Sequence, residues 1–195
     1  MDLPREYSAR TAYNLQDFND YRLTAAGELA ISPYFRHPIR IAIGDDDLEL
    51  TAITLPNNED AAPMTEPDRL FVLRNLSSNS PESKIIMDNT RRNMGSIALN
   101  GVEYEVEGRS TYIVGRGEDA TPQLDLSELT SRRHLQVRVG NMAGNIHFAD
   151  LDSKNGTIVR IHEEDNNYTT SPRRHFIQTK DGLITYEQQH QRWSR

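Results

Sequence analysis

Apolar and polar positions alternate with a period of two along much of this chain. Ile39-Arg40-Ile41-Ala42-Ile43 and Leu48-Glu49-Leu50-Thr51-Ala52-Ile53-Thr54-Leu55 flank Gly44-Asp45-Asp46-Asp47. That pattern predicts a β-hairpin, which alone would be marginal in water. Leu70-Phe71-Val72-Leu73 predicts a further strand, whereas Pro56 to Asp68 and Asn75 to Ser83, rich in Pro, Asn, Ser and acidic residues, read as loops or linkers. No internal repeat is present.

From Ser96 onward the texture changes to short strands punctuated by turns. Ser96-Ile97-Ala98-Leu99 and Val102-Glu103-Tyr104-Glu105-Val106 surround Asn100-Gly101, the strongest short-range hairpin signal. Strands are then predicted at 111–114, 135–139, 146–151 and 157–161, and at 176–179 and 183–186 around the Lys180-Asp181-Gly182 turn. With no long helical period between them, such strands make a β-sandwich or barrel. The expected class is all-β, with the sandwich in the C-terminal half. The expected division is an N-terminal extension over 1–92, holding at most a small β element, then a domain over 93–190 and a tail over 191–195.

Composition narrows the function. The 195 residues are 36% hydrophobic and 26% charged, and no run of about 18 apolar residues occurs. The start, Met1-Asp2-Leu3-Pro4-Arg5, lacks a secretory core, so a soluble, cytoplasmic protein without membrane partners is expected. The absence of cysteine removes disulfides, thiolate-held zinc and a cysteine nucleophile. A net charge of -7 argues against nucleic acid as a partner. That charge is uneven: eight acidic residues and no Lys or Arg lie between Asp45 and Asp68, while Arg116, Arg132, Arg133 and Lys154 lie in the other half. Anion binding, if present, is local.

Three clusters fall on turns between the predicted strands: Gly115-Arg116, Ser131-Arg132-Arg133-His134 and Ser153-Lys154-Asn155-Gly156-Thr157. In this order and spacing the stretch from Ser96 to Gln188 resembles the forkhead-associated (FHA) domain family. The resemblance implies an eleven-stranded sandwich whose loops at one end bind phosphothreonine, an adaptor role downstream of a Ser/Thr kinase, and no catalysis or cofactor. It implies that Arg116 and Ser131 contact phosphate, that Arg132 and Lys154 assist, and that Asn155 holds the ligand backbone. Gly115, His134, Gly156 and Thr157 are then structural, with His134 tying two loops together from below. The residue chemistry agrees: a phosphate of roughly -1.5 to -2 charge needs convergent donors, and an arginine fork can engage it bidentately. Gly156 suits a positive-φ turn presenting Asn155.

Other readings fit less well. Gly115-Arg116-Gly117-Glu118-Asp119-Ala120 matches a loose dinucleotide fingerprint, but Thr121-Pro122 follows where a helix is required. Ser131, His134 and Asp150 or Asp152 have the residue types of a hydrolytic triad without the nucleophile elbow. The six histidines show no helical i, i+4 pairing, so no metal site is expected. Arg133 is expected to point away from Arg132. An assembly protein that uses an FHA-like sandwich without phosphate is the rival function.

Two features depart from the family. It closes, after the asparagine-glycine turn, with Leu-x-x-Gly-Asp and two strands; the nearest match here is Ile177-Gln178-Thr179-Lys180-Asp181, beyond a polar insertion from Glu163 to Arg174. The resemblance implies that loop residues near the serine cluster read the ligand position three places after the phosphothreonine, where apolar Leu129 would suit an apolar or small residue. Thr65, in the acidic run, makes the chain's own N-terminal segment a candidate ligand alongside kinase substrates.

Overall fold

The structure, a computed structural model, describes residues 18–23, 28–55, 69–88, 95–99, 101–106, 110–121, 124–140, 145–170, 175–179 and 182–186. Thr65 lies outside them. The strands are β1 (Phe18–Leu23), β2 (Glu28–Ile31), β3 (Ile39–Ile43), β4 (Asp46–Thr54), β5 (Arg69–Asn75), β6 (Lys84–Asp88), β7 (Ser96–Leu99), β8 (Val102–Glu105) and β9 (Thr111–Val114). They continue with β10 (Leu135–Val139), β11 (Ile146–Asp150), β12 (Thr157–His162), β13 (Thr169–Thr170), β14 (His175–Thr179) and β15 (Gly182–Tyr186). A 3-10 turn, Glu163–Tyr168, follows β12.

Two antiparallel sheets carry the fold, in the orders β15-β14-β1-β12-β3-β4-β5-β6 and β13-β2-β11-β10-β9, with β7-β8 as a separate hairpin. Period-two alternation decides which side chains meet between the sheets. Ile39, Ile41, Ile43, Leu48, Leu50, Phe71 and Leu73 from the larger sheet pack with Tyr112, Val114, Leu135, Val137, Ile146 and Phe148 from the smaller. β5 is apolar at consecutive positions because both its faces are covered. Leu70 and Val72 turn away from the main core into a second cluster with Ile53, Leu55, Ile86, Val106 and Ile97.

The all-β class agrees with expectation, and most expected strands lie within a residue of their place. The 39–43/48–55 hairpin forms with Ile43 opposite Asp46 across Gly44-Asp45. β1, β2, β6 and β13 are additional. In β1 the apolar residues Phe18, Tyr21 and Leu23 do not share one parity, so alternation hides the strand; only Tyr21 and Leu23 are buried.

The sheets do not divide at residue 92. β12 is flanked by β1 and β3, and β11 by β10 and β2, so N-terminal strands are interleaved with those of the C-terminal half. The closing segment differs in the same way. β14, which holds Ile177 to Thr179, pairs with β15 and β1 and not with β12; Lys180 and Asp181 lie outside the described residues. The place beside β12 is taken by β3, which pairs in turn with β4, and Ile41-Ala42-Ile43-Gly44-Asp45 has the same apolar-x-x-Gly-Asp form. Cross-strand ion pairs mark the polar face of this sheet: Asp20 with Arg160 (3.1 Å), Arg40 with Asp47 (3.1 Å) and Glu49 with Arg74 (2.7 Å).

Each buried Leu, Ile or Phe contributes roughly 1.5–3 kcal/mol. Starting the chain at residue 93 removes Leu23, Ile39, Ile41, Ile43, Leu48, Leu50, Phe71 and Leu73 from the core. Their sum, roughly 12–24 kcal/mol, matches or exceeds the ~5–15 kcal/mol by which a domain is stable. Fragment 93–195 is therefore expected to lack cooperative urea unfolding and dispersed amide resonances, both of which residues 1–195 should show.

On the outside of the smaller sheet, Glu28 Oε1 accepts from Arg138 (2.8 Å) and lies 2.6 Å from His147 Nδ1. Burial alone would raise this carboxyl, but the Arg138 hydrogen bond and the His147 and Arg138 charges outweigh it, holding the group below its ordinary 4.5. A depressed carboxyl stabilises the fold above its unfolded value and loses that contribution as pH falls through the folded one. Glu28→Gln should therefore lower thermal stability at pH 7 and narrow the gap to wild type below pH 4.5, read by a thermal-melt series.

Candidate functional site

Strand register brings the three clusters to one end of the sandwich. Val114 lies opposite Leu135, Leu135 opposite Asp150, and Thr157 opposite Ile43. The segments leaving β9, entering β10 and joining β11 to β12 therefore emerge at the same rim. Backbone bonds lace them together: Arg116 N–H to Ser131 O (3.2 Å), Gly117 N–H to Arg132 O (2.8 Å), and Leu151 N–H to His134 O (2.9 Å). Gly115 is dictated by this approach, since a Cβ there would run into the Arg132 carbonyl oxygen.

His134 is 0% exposed and joins two of the segments. Its Nδ1 accepts the Ser131 N–H (3.2 Å), so Nε2 carries the proton and donates to the Gly156 carbonyl (2.9 Å). Lys154 N–H completes the link by donating to Ser131 Oγ (3.1 Å). Ser131 thus meets His134 through its backbone and not through its hydroxyl, which is not the geometry of a hydrolytic triad.

Asp150, 4% exposed, shapes the turn carrying Asn155. Its carboxylate accepts from Ser153 N–H (2.8 Å), Ser153 Oγ (2.7 Å) and buried Thr157 Oγ1 (2.6 Å). Ser153 Oγ in turn accepts the Gly156 N–H (3.0 Å), and Gly156 takes φ 73°, a conformation open to glycine at little cost. A second buried carboxylate holds the facing segment. Asp46 Oδ2, at the start of β4, accepts from Thr130 Oγ1 (2.7 Å) and Ser127 N–H (2.8 Å).

What remains on the outside is donor-rich. Arg116, Arg132, Lys154 and Asn155 are exposed and Ser131 is half-buried. Arg116 Nε donates to Thr130 O (2.6 Å), anchoring the guanidinium, and among the described residues its two Nη groups hydrogen-bond nothing. Asn155 Nδ2 donates to Leu129 O (2.9 Å), which leaves Oδ1 as an acceptor. The Ser131 hydroxyl accepts from Lys154 and still has its own proton to give. No carboxylate among the described residues lies within ion-pair distance of Arg116, Arg132 or Lys154, whereas Arg133 pairs with Asp119 (3.2 Å).

Several residues that build the rim have no signal in the clusters themselves. Asp46 and Thr130 act through a contact 84 positions apart in sequence. Asp150 was legible only as a possible triad member. Arg22, exposed on β1, has its guanidinium beside Gly156: a Cβ at that glycine would lie 3.7 Å from Arg22 Nε. It adds a cation from a strand that alternation concealed.

The FHA domain model matches residues 112–181, a span that includes all three clusters. No curated protein and no solved structure matches the chain.

Replacing Asp150 with Asn leaves one acceptor oxygen for three donors, of which Thr157 Oγ1 is buried. Leaving a buried polar group unsatisfied costs about 1–3 kcal/mol. Asp150→Asn should lower unfolding free energy by that amount in urea titrations, and Asp152→Asn, at an exposed neighbour, should change it by less than about 0.5 kcal/mol.

Proposed function

We propose, from the FHA domain that this chain carries, that it binds a phosphothreonine-containing segment of a partner protein at this rim. FHA domains are in general phosphopeptide-binding modules rather than catalysts. The observation that carries the reading is the grouping of Arg116, Ser131, Arg132, Lys154 and Asn155 on loops tied together beneath by His134. Phosphate is a dianion with three strong acceptor oxygens, and the unpaired Nη groups of Arg116 and the Ser131 proton are matching donors. Asn155 Oδ1 suits a backbone N–H of an extended peptide. Arg132 and Lys154 add charge that raises affinity and speeds encounter.

Phosphorylation of the partner by a Ser/Thr kinase would supply the ligand and phosphatase would remove it. Leu129, 54% exposed and joined to Asn155 through its carbonyl, offers an apolar contact for a residue following the phosphothreonine. The binding domain in this reading begins with β1, not at residue 93. Intramolecular binding of a phosphorylated Thr65 is a self-inhibited variant, and phosphate at that residue in protein from its own host is the requirement for it.

The test is a phosphothreonine peptide library followed by calorimetry on its hits. Binding should vanish on phosphatase treatment. Charge-assisted hydrogen bonds contribute ~1.5–3 kcal/mol each, so Arg116→Ala should weaken binding at least roughly 10-fold with an unchanged melting temperature. Affinity should also fall below about pH 6, where the phosphate takes up a proton. Hits that survive phosphatase, or an Arg116→Ala variant binding as wild type, would refute the assignment.

A further inference from the structure

β12 begins at the rim with Thr157 and ends at His162, about 17 Å away at ~3.3 Å per residue. At that far end a second group of polar side chains converges, unconnected with the anion-binding loops. His37, in the approach to β3, stacks on His162 with ring centroids 3.7 Å apart and planes 18° apart. One ligand atom from each of His37, His162 and Glu164 lies within 4.8 Å of the other two.

The His37 ring is held in one tautomer. Asp165, 4% exposed, accepts the backbone N–H groups of Arg36 and His37, each at 2.9 Å. Its Oδ2 also lies 3.1 Å from His37 Nδ1. Nδ1 therefore carries the proton and donates to the carboxylate. That leaves the Nε2 lone pair free, 3.8 Å from Glu164 Oε2. A buried carboxylate behind one imidazole nitrogen is the arrangement that orients histidine as a metal ligand. Capping of the loop accounts for Asp165 but not for Glu164 and His162 meeting the free nitrogen. His162 is bound loosely on this side: Glu164 N–H donates to its Nδ1 at 3.3 Å, a long contact that an ion can replace.

We propose that His37, His162 and Glu164 form a binding site for a divalent transition ion of the zinc class. Two imidazoles and one carboxylate, with no thiolate, suit zinc, and a three-residue set leaves one coordination position for water. Ligand atoms about 2.0–2.2 Å from a tetrahedral ion stand roughly 3.3–3.5 Å from one another. Closing from the present spacing takes a shift of about an ångström, within reach of the exposed Glu164 and a slight opening of the ring stack. Bound metal would clip the end of β12 to the β2–β3 connection. The site contradicts the sequence expectation because its histidines are 125 positions apart and lie on no helix.

The experiment uses residues 1–195, stripped with chelator and titrated with zinc chloride by calorimetry, with melting temperature read alongside. Wild type should bind one zinc per chain and melt higher as free zinc rises. The double variant His37→Ala, His162→Ala should lose saturable binding. Glu164→Gln, at an exposed position, should keep the metal-free melting temperature and bind zinc at least roughly tenfold more weakly. Failure of wild type to bind, or undiminished binding by the double variant, would overturn the proposal. Phosphopeptide binding is read separately and neither outcome bears on it.

Discussion

The rim of this sandwich depends on one buried imidazole whose two nitrogens are committed to different loops. His134 accepts from the Ser131 backbone and donates to the Gly156 carbonyl, so the segment before β10 and the turn before β12 cannot shift independently. An imidazole buried with either nitrogen unmatched would be costly, and here both are satisfied. Asp150 and Asp46 extend the same principle. Each is a buried carboxylate spending its acceptors on loop donors, which converts connecting segments into fixed structure.

This division of labour explains why the exposed groups are available. Loop shape is set from below by His134, Asp150, Asp46 and Thr130, so the cations above need not pair with acidic neighbours to hold position. Arg116 is the intermediate case, spending Nε on Thr130 and keeping its terminal nitrogens free. A site organised before its ligand arrives loses less conformational entropy on binding. The chain's negative charge is compatible with this, because Asp47, Glu49 and Asp20 are engaged across the larger sheet rather than at the rim.

The strands that carry the clusters were legible because their alternation is regular and Gly115, Asn155 and Gly156 mark the turns between them. Site residue types were legible for the same reason. Pairing partners were not: nothing local in Phe18–Leu23 says that it lies beside β12, and its mixed parity conceals it as a strand. The assignment of residues 1–92 to a separate extension failed on this point, since long-range register is written in packing complementarity rather than in any segment alone. Asp46 illustrates it. In sequence it is one of several acids in a turn, and in the fold it is the buried anchor of Thr130 and Ser127. The polar stretch after Ile161 likewise reads as an insertion, yet it places Glu164 and Asp165 against His37.

The central claim is that the rim, and no other surface, receives the phosphorylated segment. Amide-resolved NMR during titration with a phosphothreonine peptide selected from a library tests it most directly. The account predicts saturable shifts at Ser131, Arg132, Lys154 and Asn155 and at the Arg116 side chain, with β4 to β6 unmoved and the unphosphorylated peptide silent. Shifts centred on β4 to β6 or on the His37–His162 end, or equal shifts from the unphosphorylated peptide, would contradict it.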